Sequence, residues 1–373
     1  MSDVLSLPSG AMRRPRLCVL ANGAPVAGAQ HAELVANNHY AADRFRVSVA
    51  LGADPAMGAD FWSAADALTL DVQIGFLPDG APEGAAAWIS LVQGDVDLLS
   101  VDPIGGTVRL DGRDRTALLI EARTQETFSN RTSSEIATIL AGRHGLTAAV
   151  AATTTPVGRY YEIEHDRITL DAFSRATTEW DLLVWLAERE QFDVWVAGST
   201  LYFQPASDAV STMVLEPGAL IDLSMERALT LARDIEVTVK SWNSRQQNAF
   251  TQTARSGSGG APASNTPASY VYVRPNLTPD QALKIAQGRL TELSRHERVI
   301  LASMPGELTL TPRTQIALTG TGTAFDQTYF IDRIERRLSV RGGFTQRVRA
   351  RNVSLGSTAT PPGDLVLSTV PNP

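Results

Sequence analysis

The 373-residue chain has little cysteine and no long apolar run, and each absence excludes a class of protein. Cys18 is the only cysteine, so an intramolecular disulfide framework and a cysteine-rich zinc site are both excluded. No apolar stretch approaches the roughly 20 residues that span a bilayer. The N-terminal residues also lack the apolar segment of a signal peptide. We therefore expect a soluble protein that is made in a reducing cytoplasm and has no membrane partner.

An excess of positive charge is absent as well. The chain has 33 Lys and Arg against 40 Asp and Glu, a net charge of −7. A protein that binds nucleic acid by neutralising phosphates has the opposite balance. The hydrophobic content of 43% is ordinary for a globular protein, and the length suits two or three domains. We therefore do not expect specific binding of nucleic acid.

Motifs for catalysis and cofactor binding are missing from the sequence. It contains no nucleophile elbow, no Walker A loop and no dinucleotide fingerprint. None of the histidines has a metal-site spacing; they are His31, His39, His144, His165 and His296. On a strand, the side chain of His165 would face away from those of Glu162 and Glu164.

Acidic pairs are the remaining candidates for chemistry, because two carboxyl groups can form a glycosidase-type dyad. The pairs are Glu188 with Glu190 and Asp111 with Asp114. Such pairs are also common on protein surfaces, and the sequence does not bring their carboxyl groups together. We therefore predict no catalytic, cofactor-binding or metal-ligating residues, and no cofactor.

The clearest local signals lie between Phe128 and Phe203. Thr132 begins one capping box and Thr178 another, and each precedes an amphipathic helix. The first apolar stripe contains Ile136, Ile139 and Leu140. The second contains Leu182, Leu183, Trp185 and Leu186. An alternating hairpin that turns at Gly198-Ser199 follows the second helix. This stretch therefore resembles a compact packing unit.

Alternating strands lie on both sides of this unit, which indicates an antiparallel barrel or sandwich. Two hairpins, in residues 92–114 and 329–352, share a plan. Each begins near an acid, Asp95 or Asp332, and turns at a Gly-Gly pair. The sequence alone leaves open whether this echo reflects duplication. A third helix, which begins at the capping box of Thr278, interrupts the later strands.

The last strands are rich in arginine. On a strand, Arg347, Arg349 and Arg351 share one face, while Val348 and Ala350 share the other. A solvated face and pairing with a neighbouring subunit are both open. Nucleic-acid binding is disfavoured, because no aromatic platform accompanies the arginines. The remaining arginines of this region are Arg333, Arg336, Arg337 and Arg341.

The central segments RTSSEIATILAGRHGL and TTEWDLLVWLAEREQFDVWVAGSTLYF resemble the phage late control protein D family, the baseplate hub of contractile tails. Type VI secretion spike proteins carry a related hub at their N-terminus. VLANGAPV, NNHYAADRFRVSV and GDVDLLSVDPIGGTVRLDGRDRTALLIEA resemble the same family. The resemblance runs from about residue 16 to 352.

The resemblance implies a mainly β, α+β fold in which two similar small antiparallel β-barrel, tube-like domains flank a mixed α/β module. The implied division is a disordered lead-in at 1–15, a first barrel at 16–117, the mixed module at 118–204, a second barrel at 205–355 with a flexible loop at 254–269, and a loose C-terminal tail at 356–373.

The implied function is that of a structural baseplate hub in a virion tail or tail-like particle, assembled in the host cytoplasm. Three copies would form a pseudo-sixfold ring that joins the tail tube to the central spike. The implied partners are the homotrimer, the spike, tube or tube-initiator proteins, other baseplate proteins and the tape-measure protein. DNA would pass through the channel without specific binding. The alternative is a tail-associated cell-wall hydrolase or a carbohydrate-binding tail protein.

Overall fold

The computed structural model describes most of the chain. The described residues are 4–5, 14–38, 40–77, 86–124, 128, 131–154, 156–157, 178–205, 211–229, 235–243, 248–255, 268–274, 277–295 and 297–353. The predicted tail, most of the predicted loop at 254–269, His39, His165 and His296 lie outside them. Strands predominate among the described elements, which confirms the expected mainly β, α+β class.

The strands divide into those before, within and after the central segment. The earlier strands are β1 Val4–Leu5, β2 Arg14–Ala21, β3 Ala24–Pro25, β4 Ala29–Asn37, β5 Arg44–Ala50, β6 Thr69–Leu77, β7 Ala87–Asp102 and β8 Thr107–Asp114. The central strands are β9 Arg131–Thr132, β10 Thr147–Val150, β11 Pro156–Val157, β12 Phe192–Ala197 and β13 Thr200–Pro205. The later strands are β14 Thr212–Leu215, β15 Asp222–Arg227, β16 Ile235–Asn243, β17 Asn248–Arg255, β18 Ala268–Val273, β19 Arg298–Pro305, β20 Gln315–Leu318, β21 Thr328–Ser339 and β22 Gly343–Asn352.

The helices are fewer and most are short. They are α1 Ala59–Ser63, α2 Thr116–Glu121, α3 Ser133–Arg143, α4 Glu179–Glu190 and α5 Pro279–Ser294, with a 3₁₀ turn at Pro217–Ala219. None of these described helices is both long and apolar enough to cross a membrane.

Three helices begin at the capping boxes that the sequence predicts. Thr132 caps α3, Thr178 caps α4 and Thr278 caps α5. In each box the threonine hydroxyl accepts the backbone N–H three residues on, and that residue's side chain accepts the threonine N–H. The box therefore satisfies amide groups that the first helical turn leaves without partners. Gly145 follows α3 at a φ of 66°, a left-handed conformation that favours glycine.

One 14-stranded sheet contains both β regions. Within it, two sets of six strands have the same pairing order. We name them the N-terminal repeat (β2, β4, β5, β6, β7 and β8) and the C-terminal repeat (β14, β15, β19, β20, β21 and β22). In each repeat the first strand pairs with the fourth, the fourth with the fifth, the fifth with the sixth, the sixth with the third and the third with the second.

The two repeats differ in the orientation of one strand pair. β2 is antiparallel to β6, whereas its counterpart β14 is parallel to β20. The hairpins β7–β8 and β21–β22, which carry the sequence echo, hold the same fifth and sixth positions. The echo therefore reflects a repeated structural unit.

Closed barrels are not found among the described strands, which differs from the expectation. Within each repeat the first and second strands are not paired with each other, so the strand path stays open. The free edge of β4 pairs instead with β21 of the C-terminal repeat. The two repeats therefore form one continuous sheet, because one repeat satisfies the backbone groups of the other.

A separate layer interrupts the C-terminal repeat between β15 and β19. In this inserted layer, β16 is antiparallel to β17 and parallel to β18. Ile235, Val237 and Val239 of β16 share a buried cluster with Ala282 and Ala286 of α5. The predicted second barrel at 205–355 includes this layer, which forms a sheet separate from the 14-stranded one, because alternation predicts a strand but not its partner.

The central module has a core of its own. Ile136 and Leu140 of α3 meet Leu183 and Leu186 of α4, and β12 and β13 cover them. Ile139, predicted for the apolar stripe, is an exposed residue. β10 joins β13 in parallel, and β9 pairs with β11 outside this sheet. The exact domain boundaries stay a prediction.

Candidate assembly interface

The two repeats meet at an antiparallel joint between β4 and β21. Seven residue pairs make the joint, from Asn37 opposite Arg333 to His31 opposite Ser339. Beyond its end, the Asn38 backbone N–H donates to the Asp332 carbonyl over 2.9 Å. Strand pairing of this kind combines many backbone hydrogen bonds in one contact. It therefore fixes the relative position of the repeats.

Apolar packing reinforces the joint. Leu338 and Phe344 of the C-terminal repeat belong to the same buried cluster as the core of the N-terminal repeat. The rings of Phe344 and Phe76 lie 6.0 Å apart between centroids, within the range of favourable aromatic pairs. The core of the N-terminal repeat therefore extends across the joint into the C-terminal repeat.

An ion pair spans the outer face of the joint. The Arg337 guanidinium contacts the Glu33 carboxylate at 2.5 Å, and the His31 imidazole lies 3.2 Å from the same carboxylate. Burial raises the pKa of Glu33, but the His31 hydrogen bond and the Arg337 charge outweigh it, so the pKa is lowered. Glu33 is therefore held as the anion.

An ionic cluster lies beside the joint, with Asp114 and Arg336 buried and Asp43 half-buried. It consists of Asp43, Asp114 and Arg336. The Asp43 N–H donates to Asp114 Oδ1 over 3.1 Å, and the Thr116 hydroxyl donates to Asp114 Oδ2 over 2.8 Å. Arg336 is only 5% exposed and donates to the backbone carbonyl of Leu310.

Burial shifts all three pKa values in this cluster. It raises the pKa of Asp43 to about 6, against the Asn37 N–H and the Arg336 charge. Burial, and then the charge of Asp43, raise the pKa of Asp114 to about 8. Burial lowers the pKa of Arg336 to about 10. At neutral pH Asp114 therefore keeps a proton, while Asp43 is an anion that the charges of Arg336 and Arg313 favour.

The central module contacts both repeats around this cluster. The Trp180 indole N–H of α4 donates to the Tyr40 carbonyl over 2.8 Å. Arg313 of the C-terminal repeat lies over the Trp195 ring at 4.2 Å and pairs with Asp193 at 3.2 Å. A cavity of about 350 Å³ lies between these contacts. The three parts of the chain therefore converge at one junction.

The repeats also match at individual polar positions. A β-bulge places one unpaired residue in each fifth strand, Asp97 in β7 and Asp332 in β21. Asp97 pairs with Arg113 at 2.7 Å, and Asp332 with Arg351 at 2.8 Å. Asp95 and Asp332 are the acids near the start of the two hairpins in the sequence, whereas the bulges make Asp97 the structural counterpart of Asp332.

A second match involves the last residue of each repeat. Asp114 Oδ1 accepts the Asp43 N–H, and Asn352 Oδ1 accepts the Arg298 N–H over 2.9 Å. The strand registers place Asp43 and Arg298 at equivalent points before the third strand. The same hydrogen bond is therefore made in both repeats, with a carboxyl group in one and an amide in the other.

The acidic pairs considered for hydrolysis take part in structural contacts. Asp111 lies 2.5 Å from Arg46, while Asp114 faces Asp43 in the junction. Glu188 lies 3.5 Å from Arg289. Glu190 accepts the Ser133 hydroxyl over 2.6 Å.

The remaining candidates divide between surface and core. His144 lies 2.5 Å from the buried Glu179. The alternation predicted for β22 is confirmed: Val348 and Ala350 are buried, while Arg347 and Arg349 are exposed.

Sequence reasoning missed the junction. Asp43 follows the irregular segment between β4 and β5, and Tyr40 contributes only its carbonyl. The one available signal was Arg336, a charged residue at an apolar position of the alternating strand β21. Such a break in period 2 indicates a buried charge with a partner.

The fold is similar to that of solved phage tail proteins. The chain matches the tail protein from Neisseria meningitidis MC58 with a TM-score of 0.64 at 15% identity, over 91% of this chain and 96% of that one. The 43 kDa tail protein of prophage MuSo2 from Shewanella oneidensis matches with a TM-score of 0.62 at 15% identity, over 91% and 97%. A chain of the Francisella PdpA–VgrG complex matches with a TM-score of 0.53 at 8% identity, over 93% and 59%.

These likenesses confirm the resemblance to tail and VgrG proteins at the level of the fold. No model of a protein family and no curated protein matches the sequence. The likeness to the solved structures is therefore a likeness of fold.

Proposed function

We propose that this protein is a structural baseplate hub of a phage tail or tail-like particle. Three copies form a pseudo-sixfold ring that joins the tail tube to the central spike. The ring lines the channel for DNA and the tape-measure protein, and other baseplate proteins surround it. The protein has no catalytic role in this arrangement.

The observation that carries the proposal is the repeat within the chain. Two units with one strand order are joined edge to edge by β4 and β21. A trimer of such chains presents six similar units on one side and threefold symmetry on the other. A ring of this kind can therefore connect a sixfold tube to a threefold spike.

The fold and the charge support the same proposal. The tail proteins from Neisseria and Shewanella share the fold over nearly their whole length, and the VgrG complex links it to a secretion spike. The net charge of −7 disfavours adhesion of DNA in the channel. The described acidic pairs contact arginine, serine or backbone groups, which accounts for them structurally.

The solution mass tests the proposal. Light scattering is measured on the purified protein alone and with the spike protein of its own particle. We expect a species of three 40.0 kDa chains, alone or once the spike is present. A protein that stays monomeric in both samples would contradict the ring.

A second measurement separates the hub from a wall-digesting tail protein. The protein is incubated with purified peptidoglycan, and the release of soluble fragments is followed. We expect no release. Release that disappears in Glu188→Gln or Asp111→Asn would favour a hydrolase instead.

A further inference from the structure

Each strand of the joint within the chain has a counterpart in the other repeat. β15 is the second strand of the C-terminal repeat, as β4 is of the N-terminal repeat, and β7 corresponds to β21. Phe45 and Ile300 are equivalent residues of the third strands. Phe45 pairs with Gly112, and Ile300 pairs with Ala350. Gly112 and Ala350 in turn lie opposite the residues that directly precede the two bulges.

Two consequences follow for single residues. On the second strands, Leu34 lies opposite Phe45 and Met225 lies opposite Ile300, so Leu34 and Met225 correspond. On the fifth strands, counting from the bulge matches Arg336 with Val101.

Both counterpart edges are unpaired among the described strands. β15 pairs with β19 alone, and β7 beyond Val96 pairs with β8 alone. The same edges of β4 and β21 are the ones that form the joint. The chain therefore contains one completed joint and the two separate halves of a second one.

Exposure follows this difference. Ala32 and Leu34 of β4 are buried, whereas their counterparts Leu223 and Met225 of β15 are half-buried. Ile334 of β21 is buried, whereas its counterpart Leu99 in β7 is half-buried. The apolar faces of β7 and β15 are therefore incompletely covered at these edges.

Large apolar side chains are exposed at both edges. Leu98 is 54% exposed on β7, and Ile104 is fully exposed in the turn after it. Ile221 and Leu229, directly before and after β15, are 64% and 71% exposed. Long unpaired edges with exposed apolar residues promote association, and proteins usually cover them.

We propose that β15 of one copy pairs antiparallel with residues 97–102 of β7 in a second copy. Transfer of the intramolecular register places Glu226 opposite Ser100 and Met225 opposite Val101. Leu98 then lies opposite Ala228, beside Leu229. The inference rests on the proposed ring and defines the contact between its chains.

The internal joint explains why the occupant is a second copy of this chain. The edge of β15 corresponds to that of β4, and the edge of β7 corresponds to that of β21. Because β4 and β21 already pair within one chain, β15 and β7 can pair in the same way between two chains. The contact is heterologous, since β15 and β7 are different surfaces, so it produces a ring when its rotation closes. If the joint within the chain and the joint between chains each rotate one repeat by a sixth of a full turn, three chains close the ring.

Disulfide trapping tests the register. In a Cys18→Ser background, the test protein carries Ser100→Cys and Glu226→Cys, and the control carries Ser100→Cys and Asp222→Cys. All three positions lie at the proposed edges, but Asp222 is four residues out of register. Directly opposite residues of paired strands have Cα atoms about 4.5–5.5 Å apart, which a disulfide spans.

We expect covalent species of two and three chains, and none larger, from the test protein after mild oxidation. The control should give at least tenfold less of them. Equal crosslinking of the two proteins, or none in the test protein, would overturn the proposed pairing. The mass of the unmodified protein is measured first, so that a trimer without crosslinks refutes the joint alone and a monomer with the spike refutes the hub as well.

Charge at the edge gives an independent test. Leu98→Lys with Leu229→Lys introduces two cations where the proposed joint is apolar. The matched control is Val273→Lys in β18, which is 72% exposed and lies in the inserted layer. We expect trimer formation to weaken at least tenfold in the double variant and to be unchanged in the control. Unchanged assembly of both variants would overturn the proposal.

Discussion

The two repeats of this chain share a strand order but differ in how their edges are covered. β4 of the N-terminal repeat is paired along both edges, and its inward residues are buried. β15 of the C-terminal repeat holds the same position, is paired along one edge among the described strands and is half-buried. The fold was repeated, whereas the contacts of the repeats were not.

The residues of the repeats diverge where those contacts diverge. Arg336 lies in the junction, where β21 is paired with β4. Its counterpart Val101 lies on β7, whose outer edge has no partner among the described strands. Asp114 faces Asp43, and its counterpart Asn352 receives the Arg298 N–H. The bulge pairs, which are internal to each repeat, are the same in type. The environment across the strand edge therefore determines which positions carry charge.

Replacing Arg336 with the residue of the other repeat should have the largest effect on stability. Arg336→Val removes one of the two cations that act on Asp43, the other being Arg313, and takes away the buried donor of the Leu310 carbonyl. Losing a buried charged group together with its hydrogen bond costs about 3 kcal/mol. Urea unfolding followed by far-UV circular dichroism measures the loss in the free energy of unfolding.

The matched control is Arg333→Leu, which also installs the counterpart residue, here Leu98. The Arg333 side chain is 48% exposed and pairs with Glu335, so the loss should stay within about 1 kcal/mol. Similar losses in both variants would show that the junction cluster adds nothing specific to the joint.

The comparison of repeats also shows what a single sequence can reveal. The capping boxes at Thr132, Thr178 and Thr278 predict where three helices begin, because a capping box is a local feature that needs no distant partner. The hairpin β7–β8 and its echo β21–β22 were visible for the same reason. Resemblance to the tail-protein fold came from the order of such local motifs.

The edge-to-edge pairing was beyond the reach of local patterns. β4 and β21 are separated by about 300 residues, and alternation states which residues face inward but not which strand lies alongside. For that reason the sequence did not reveal that the inserted layer forms a separate sheet. The junction of Asp43, Asp114 and Arg336 depends on this pairing, so it could not be foreseen either.

Asp114→Asn should flatten the dependence of stability on pH, since it installs the uncharged group that Asn352 provides in the other repeat. The folded pKa values of Asp43 and Asp114 lie above the ordinary value of 3.8 for an aspartate. The folded state therefore binds more protons than the unfolded state between about pH 4 and pH 8. Stability is accordingly lost as the pH rises through this window.

For the unmodified protein we expect a loss on the order of 2–4 kcal/mol between pH 5 and pH 8. Asp114→Asn keeps an oxygen that accepts the Asp43 N–H and removes the ionisation. Its loss should be less than half as large in urea unfolding at the two pH values. A profile unchanged by the substitution would show that Asp114 is ionised in the folded protein at neutral pH.

The two bulge pairs provide the smallest comparison, in which Arg113 keeps Glu121 as a second partner when Asp97 is removed. Asp332→Ala removes the partner of Arg351 in a pair whose side chains are 14% and 11% exposed, whereas Asp97→Ala acts on a pair that is 40% and 29% exposed. Leaving a largely buried charge unsatisfied costs about 1–3 kcal/mol, while an exposed pair contributes less than about 1 kcal/mol. We expect urea unfolding to give the larger loss for Asp332→Ala, and added salt to reduce only the Asp97 effect.

If the proposed second copy covers β7, assembly should raise the Asp97 effect towards that of Asp332, because the two bulges would then lie in equivalent joints. Equal effects in the monomer would instead show that the bulge itself, and not the strand alongside it, determines the strength of the pair.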